Sequence, residues 1–399
     1  MDVKSAFLYG KIEEEVYVCQ PPRFEDPHFP NKVYKVEKEL HGLHQAPRAW
    51  YETLSTYLLN NGFHRGEIDK TLFIRRHKDD ILLVHVYVDD IIIGSTKKKM
   101  STEFERLMHE NFQMSSIGEL SFYLGLQVKQ KSDGIFISQD KYGVEILKKF
   151  DFASIKTTST PMETNKPLIK DEKTKNVDVH LYRSMIRSLM YLTASRPDIM
   201  FDVCACAWFQ VTLKTSHLHA VKRIFRYLKG QPKLGLWHPK DSPFDLEAYS
   251  NSDYARASLD RKSTTGGCQF LGKRLISWQC KKQTIVANST TEGEYVAAAN
   301  CYGQMLWIQN QMLDYGYNLI NMNIYIDNES TICIVKNLVS HSKTKHIEIR
   351  YHFIRDSYEK KLIQVIKIHT DKNVADLLTK AFDVSRFNFS IASIGLLNL

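Results

Sequence analysis

The run "ILLVHVYVDDIIIG" at residues 81–94 places two adjacent aspartates, Asp89 and Asp90, inside an otherwise apolar stretch. Valine and isoleucine at this density predict strand. Burying one unpaired carboxylate is costly, and burying two side by side is worse. Either a cation lies beside the pair, or the pair sits at a tight turn facing solvent.

Strand, acidic turn and strand together form a unit that can present carboxylates to a metal at a sheet edge. A third carboxylate would complete such a site, and Asp2 opens another strand-like segment, "DVKSAFLYG". On these residues alone an ordinary Asp-rich turn is the competing reading. Two divalent ions held ~3.5–4 Å apart by such groups can activate a 3′-hydroxyl and steady a leaving pyrophosphate. Hard oxygen ligands around phosphates favour Mg²⁺.

The rest of the chain narrows the classes. Its 399 residues suffice for two or three domains, and 43% hydrophobic with 25% charged residues is a globular balance, not a disordered one. A net charge of +9 suits a polyanionic partner. The seven cysteines are odd in number and form no C-x-x-C pair, which predicts reduced thiols in an intracellular protein without structural zinc. Met1 is followed directly by Asp2 with no secretory leader, and no apolar run reaches the ~18 residues of a membrane helix. No membrane partner is expected.

Periodicity gives a coarse map. "LHQAPRAWYETLSTYLLNNGF" predicts a helix with Trp50, Leu54, Tyr57 and Leu58 on one side. A hairpin is expected around His77 to Asp80, and a second turning at Asp133-Gly134. "STEFERLMHENF" predicts a helix capped by Thr102 and Glu105. The polar stretch at 159–178 reads as a linker, followed by helices over 181–230. In "HAVKRIFRYLKG", Lys222, Arg226 and Lys229 form either a solvated face or a phosphate-tracking one. Beyond residue 245 strands return. One long helix is capped by Ser289 and Glu292, and a last helix begins at "NVADLLTKAF".

Several blocks resemble one family. "YVDD" resembles the central motif of reverse transcriptases, and "MDVKSAFLYG" the strand carrying their first catalytic aspartate. "LHGLHQAPRAWY" is similar to the block that follows in copia-type LTR-retrotransposon polymerases, and "FYLG" to their primer-grip hairpin. The resemblance implies that Asp2, Asp89 and Asp90 are the polymerase carboxylates, with Asp2 and Asp89 taking most of the metal contact. It implies that Phe7 lies under the sugar and excludes a 2′-hydroxyl. Gln45 and Pro47 would line the nucleotide pocket, and Arg48 would contact backbone phosphate or cap the helix.

The C-terminal third resembles the ribonuclease H domain of the same elements, through "LDRKSTTGGCQFLG", "ISWQCKKQTIVANSTTEGEY", "IYIDNESTICI", "HSKTKHIEIRYHFIRD" and "NVADLLTKAF". That implies a site built by Glu294, Asp327 and Asp376, with His369 moving a proton or aiding product release. Each centre would take two Mg²⁺ ions. The implied architecture is an α+β polymerase palm with a helical thumb or connection, followed by an α/β ribonuclease H-like domain with a mixed sheet. The expected boundaries are 1–160, 161–240 and 245–385. Implied partners are an RNA template, a DNA primer, an RNA–DNA hybrid and deoxynucleoside triphosphates, in the cytoplasm.

The chain departs from the pattern. Asp2 stands where a palm strand needs neighbours on both sides, and the family's fingers region lies upstream of that point, so a truncated polymerase is expected. Asn251 in "YSNSDYAR" replaces the first ribonuclease aspartate, and an amide brings no charge to a bridging position. Asp253 faces the same side but ~6.5 Å along the strand, too far to replace it. Arg256 and Arg187 stand where the family has glycine. The expected function is the RNA-directed DNA polymerase and ribonuclease H segment of a copia-type polyprotein, catalytically impaired. The alternative is an inactive nucleic-acid-binding remnant of it.

Overall fold

The hairpin that carries Asp89 and Asp90 lies near the middle of a six-stranded antiparallel sheet in a computed structural model of the chain. Residues 1–115, 118–164, 168, 177–211, 213–255, 257, 260–337 and 344–399 are described, apart from the side chain of Glu13. Most of the expected linker at 159–178 falls outside the described residues, as does Arg256. Two units form: Met1–Leu120 with Leu313–Gly316, and Ser121–Met312 with Tyr317–Leu399.

The first unit runs β1 (Asp2–Val3), β2 (Lys11–Val18), β3 (Tyr34–Lys38), α1 (Ala46–Asn60), β4 (His64–Arg65), β5 (Leu72–His77), β6 (Asp80–Tyr87), β7 (Asp90–Ser95), α2 (Lys98–Asn111) and β8 (Met114–Ser115). Its sheet order is β4-β5-β6-β7-β1-β8, while β2 and β3 pair separately. The strand of Asp2 therefore has both neighbours, β7 and β8, although each comes later in the chain. The need for neighbours on both sides is therefore met by later segments of the chain.

Pro47 sits in the first turn of α1, where its missing N–H costs nothing. Trp50, Leu54 and Leu58 follow at helical spacing and pack with Phe104 and Met108 of α2 against Phe73, Val84, Val86 and Ile91. Two local expectations are corrected. "DVKSAFLYG" is strand only at Asp2–Val3; Ser5 is left-handed (φ 55°) and turns the chain into a 3₁₀ turn, Ala6–Tyr9. Helix α2 begins one turn before the expected cap. Thr102 thus lies inside it, bonding back to the Lys98 carbonyl.

The second unit runs β9 (Phe122–Tyr123), β10 (Leu126–Lys131), β11 (Gly134–Ser138), α3 (Asp140–Lys149), α4 (Val179–Leu192), α5 (Met200–Ala207), α6 (Thr215–Gly230) and β12 (Leu234–Pro239). It continues with β13 (Leu246–Asp253), β14 (Thr264–Leu271), β15 (Arg274–Lys282), α7 (Thr290–Asp314, whose last two residues count with the first unit), β16 (Met322–Ile326) and α8 (Glu329–Lys336). It closes with α9 (Phe353–Glu359), β17 (Ile363–Lys367), α10 (Val384–Ser393) and β18 (Leu396–Asn398). One sheet is antiparallel, in the order β18-β12-β11-β10-β9. The other is mixed, in the order β15-β14-β13-β16-β17, with β16 parallel to both β13 and β17.

The β10–β11 turn is Ser132-Asp133, one residue earlier than expected. Gly134 belongs to the strand instead, at a place where a side chain would run into the His238 carbonyl and the Trp237 ring. In α6 the stripe Val221, Ile224, Phe225 and Leu228 is buried. Its basic side holds the preceding segment of the same chain. Lys229 donates to the Ile155 carbonyl at 2.6 Å, and Arg223 donates to the Thr160 carbonyl and to Glu163. Of the three residues of that basic face, Lys229 is thus bonded within the chain.

At the start of α7 the Glu292 N–H donates to Ser289 Oγ, but the Glu292 carboxylate accepts from Asn288, one residue before a standard capping box. "NVADLLTKAF" forms a 3₁₀ turn, Val374–Leu378, rather than the start of an α-helix. All seven cysteines are free thiols. Among the described residues no helix is long and apolar enough to cross a membrane.

Candidate active sites

In the first unit the register sets the geometry. Asp2 of β1 is the direct cross-strand partner of Asp90 of β7, and Ser115 of β8 flanks Asp2 on the other side. Tyr87 pairs with Asp90, so Val88 and Asp89 form a two-residue turn between β6 and β7. The Val3 N–H donates to the Asp89 carbonyl at 3.0 Å, tying that turn to β1. The question raised by two aspartates in an apolar strand is thus answered by the turn: Asp89 is exposed and Asp90 half-buried. Burial, then Asp89 and Asp2, push the Asp90 carboxyl above the ordinary carboxylate range.

The nucleotide-pocket candidates lie at the start of α1 and in the 3₁₀ turn. Gln45 occupies the N-cap without a side-chain cap bond, and Pro47 is exposed. Arg48 pairs with Glu52 at 2.9 Å along the helix rather than capping it. Phe7 is half-buried, its ring edge-on to His41 at 5.5 Å.

In the second unit three carboxylates come from α7, the end of β16 and the 3₁₀ turn after β17. Glu294 is the fifth residue of α7; its Oε1 accepts from the Ser252 N–H at 2.8 Å, and its Oε2 is buried without a hydrogen bond. Burial, then Asp327 and Asp376, raise its pKa well above the usual range. Asp376 is buried; Lys380 one turn on meets its Oδ2 at 2.7 Å, and its Oδ1 has no hydrogen bond. Burial raises its pKa despite that ammonium.

Asn251, on β13, is buried and donates its amide to Thr379 Oγ1 at 2.6 Å. Thr379 passes its own hydroxyl hydrogen to the Asp376 carbonyl. Asn373 pins the same turn by donating to the Ser250 carbonyl of β13 and accepting from Ala375. The turn lies close against the sheet: a Cβ on Gly266, the cross-strand partner of Asn251, would sit 2.6 Å from Thr379 Cγ2 and 2.8 Å from the Ala375 carbonyl. His369 is exposed, with Nδ1 taken by the Asp371 amide.

Sequence reasoning missed Thr379, Asn373 and Lys380. Lys380 was legible as the i+4 partner of Asp376; the contact between residues 251 and 379 is not local and left no such trace.

Among the described residues no group of three or more His, Cys, Asp or Glu side chains is placed to hold a metal ion. The donors themselves are of the hard-oxygen kind that divalent cations take. Each centre gathers mutually repelling carboxylates, and the second holds two buried carboxylate oxygens without a hydrogen bond.

Comparison with known proteins gives the family. Residues 1–164 match the family "Reverse transcriptase (RNA-dependent DNA polymerase)". The Retrovirus-related Pol polyprotein from transposon RE1 of Arabidopsis thaliana is 37% identical over 99% of this chain, which spans 27% of that protein. The Retrovirus-related Pol polyprotein from transposon TNT 1-94 of Nicotiana tabacum is 33% identical over 99% of this chain and 30% of that protein. A solved ribonuclease H1 isolated from compost is 13% identical and covers 34% of this chain and 93% of that one, with a TM-score of 0.27. The chain thus spans a little over a quarter of the polyproteins it matches, and it belongs to the family of copia-type LTR-retrotransposon Pol polyproteins.

Proposed function

We propose that this chain is the RNA-directed DNA polymerase and RNA–DNA hybrid ribonuclease segment of a copia-type polyprotein, with the ribonuclease centre catalytically impaired. The observation that carries the polymerase reading is the pairing of Asp2 with Asp90 beside the Val88-Asp89 turn. In this reading residues 1–160 serve as palm, 161–240 as thumb or connection, and 245–385 as the ribonuclease H-like domain.

In the polymerase centre, Asp2 and Asp89 would hold the metal and Asp90 would close the acidic face. Phe7 would exclude a 2′-hydroxyl from the nucleotide seat, Gln45 and Pro47 would line it, and Arg48 would meet phosphate at its edge. In the ribonuclease centre, Glu294, Asp327 and Asp376 would be the ligands, and the exposed His369 would take up or release a proton. Two Mg²⁺ ions per centre, when bound, supply Lewis-acid activation of the attacking oxygen and charge neutralisation at the phosphate. The Ser252 N–H fixes one oxygen of Glu294 so that the other faces the site unbonded.

Substrates would be an RNA template, a DNA primer, deoxynucleoside triphosphates and the resulting hybrid, in a cytoplasmic setting. For the ribonuclease half a second reading, hybrid binding without cleavage, is favoured by Asn251, whose amide is committed to Thr379. The polymerase half is tested by Mg²⁺-dependent extension of a DNA primer on an RNA template. Extension by this chain and none by Asp89→Asn is expected; equal extension by both would overturn the assignment.

A further inference from the structure

Val88 is the one β-branched residue with a left-handed backbone among the described residues, at φ 55°. Two-residue hairpin turns that twist correctly need positive φ, and asparagine or glycine adopts it far more readily than valine. The neighbouring hairpin, β5–β6, meets the same demand with an unbranched lysine, Lys78, also at φ 55°. Something must hold Val88 where its own side chain disfavours it.

Two hydrogen bonds grip the turn through its carbonyls. The Asp89 carbonyl accepts from Val3 of β1. The Val88 carbonyl accepts from the indole N–H of Trp50 at 2.7 Å, across 38 residues of sequence. Trp50 is 1% exposed and sits edge-to-face against Phe112 at 5.3 Å, with Tyr9 at 5.9 Å. Its ring is therefore fixed by packing, and its single donor goes to this carbonyl. Phenylalanine could fill the same space but would donate nothing.

We propose that Trp50 is a positioning residue for the acidic turn: its indole N–H holds the strained Val88 peptide and so sets Asp89 beside Asp2. Helix α1 also carries Gln45, Pro47 and Arg48, so the same hydrogen bond fixes the nucleotide-pocket end of α1 relative to the carboxylates. The catalytic consequence rests on the polymerase reading; the hydrogen bond to the turn does not.

The test compares the parent with Trp50→Phe, Val88→Asn and the double variant. Asparagine accepts a left-handed backbone without the freedom of glycine. Amide hydrogen exchange over residues 87–91 is read first. Trp50→Phe is expected to speed it about tenfold while the β5–β6 hairpin is unchanged, and adding Val88→Asn to bring it back to within about threefold of the parent. Unchanged exchange at 87–91 in Trp50→Phe, or uniform acceleration across the sheet with no recovery in the double variant, would overturn the proposal. Primer extension is read second. A fall in kcat with the nucleotide KM within about twofold, reversed in the double variant, is expected of a positioning role. A parent that extends no primer defeats the polymerase reading, and the exchange result then decides the role of Trp50 by itself.

Discussion

The side-chain amide of Asn251 donates to Thr379 Oγ1 at 2.6 Å, and Thr379 donates onward to the Asp376 carbonyl. With the hydroxyl hydrogen turned to that carbonyl, residue 251 is the donor of the pair. An aspartate at 251 could bond that oxygen only by drawing the hydroxyl hydrogen away from the Asp376 carbonyl, and would add a carboxylate beside the buried Glu294 and Asp376 and the half-buried Asp327. Without divalent cation, Asn251→Asp is expected to lose roughly 1–3 kcal/mol of stability at neutral pH. Thermal melts should show Mg²⁺ raising its midpoint by more than it raises the parent's. Equal midpoints without cation would show that residue 251 does not share the acidic pocket.

Gly266→Ala tests the close packing beneath that centre. The added methyl would meet Thr379 Cγ2 at 2.6 Å and the Ala375 carbonyl at 2.8 Å, and the second of these is backbone. A loss of about 1–3 kcal/mol in chemical denaturation is expected, because the turn bearing Asp376 must lift from the sheet.

The 3₁₀ turn Pro197–Ile199, between α4 and α5, offers a buried ion pair. Arg196 makes two hydrogen bonds to Asp198, at 2.9 and 2.7 Å, and Tyr227 donates to the same carboxylate at 2.7 Å. Arg196→Met leaves Asp198 buried with only the tyrosine as donor. A loss of about 3–5 kcal/mol is expected on denaturation, most of it recovered when Asp198→Leu is added. Further loss in the double variant would count against the pair being the cause.

Stability should also fall in mild acid through His238. Burial and the nearby Arg274 lower its pKa from 6.5 to about 4. The unfolded ring accepts a proton near 6.5 while the folded ring resists it, so this contribution is complete above about 6.5 and is lost as pH falls toward 4. Denaturation midpoints of His238→Gln measured across that window should decline less steeply than the parent's.

Much of this was legible in the sequence because the informative patterns are local. Trp50, Leu54 and Leu58 announce α1, and the His77–Asp80 hairpin and the strand "LEAYSNSD" lie where alternation put them. What escaped was non-local or depended on one backbone torsion. Ser5 at positive φ cuts β1 to two residues. The short strand Leu396–Asn398 pairs with β12, about 160 residues earlier in the chain, and β12 in turn pairs with β11. The candidate carboxylates were found by motif, but the groups that hold them, Ser252, Asn373, Thr379 and Trp50, act through contacts that no spacing encodes.

The most direct measurement places the parent and Asn251→Asp on an end-labelled RNA–DNA hybrid with Mg²⁺. Both proteins binding the hybrid, with only Asn251→Asp cutting the RNA, is the result that the proposed function predicts. Identical behaviour of the two, both cutting or both silent, would contradict it.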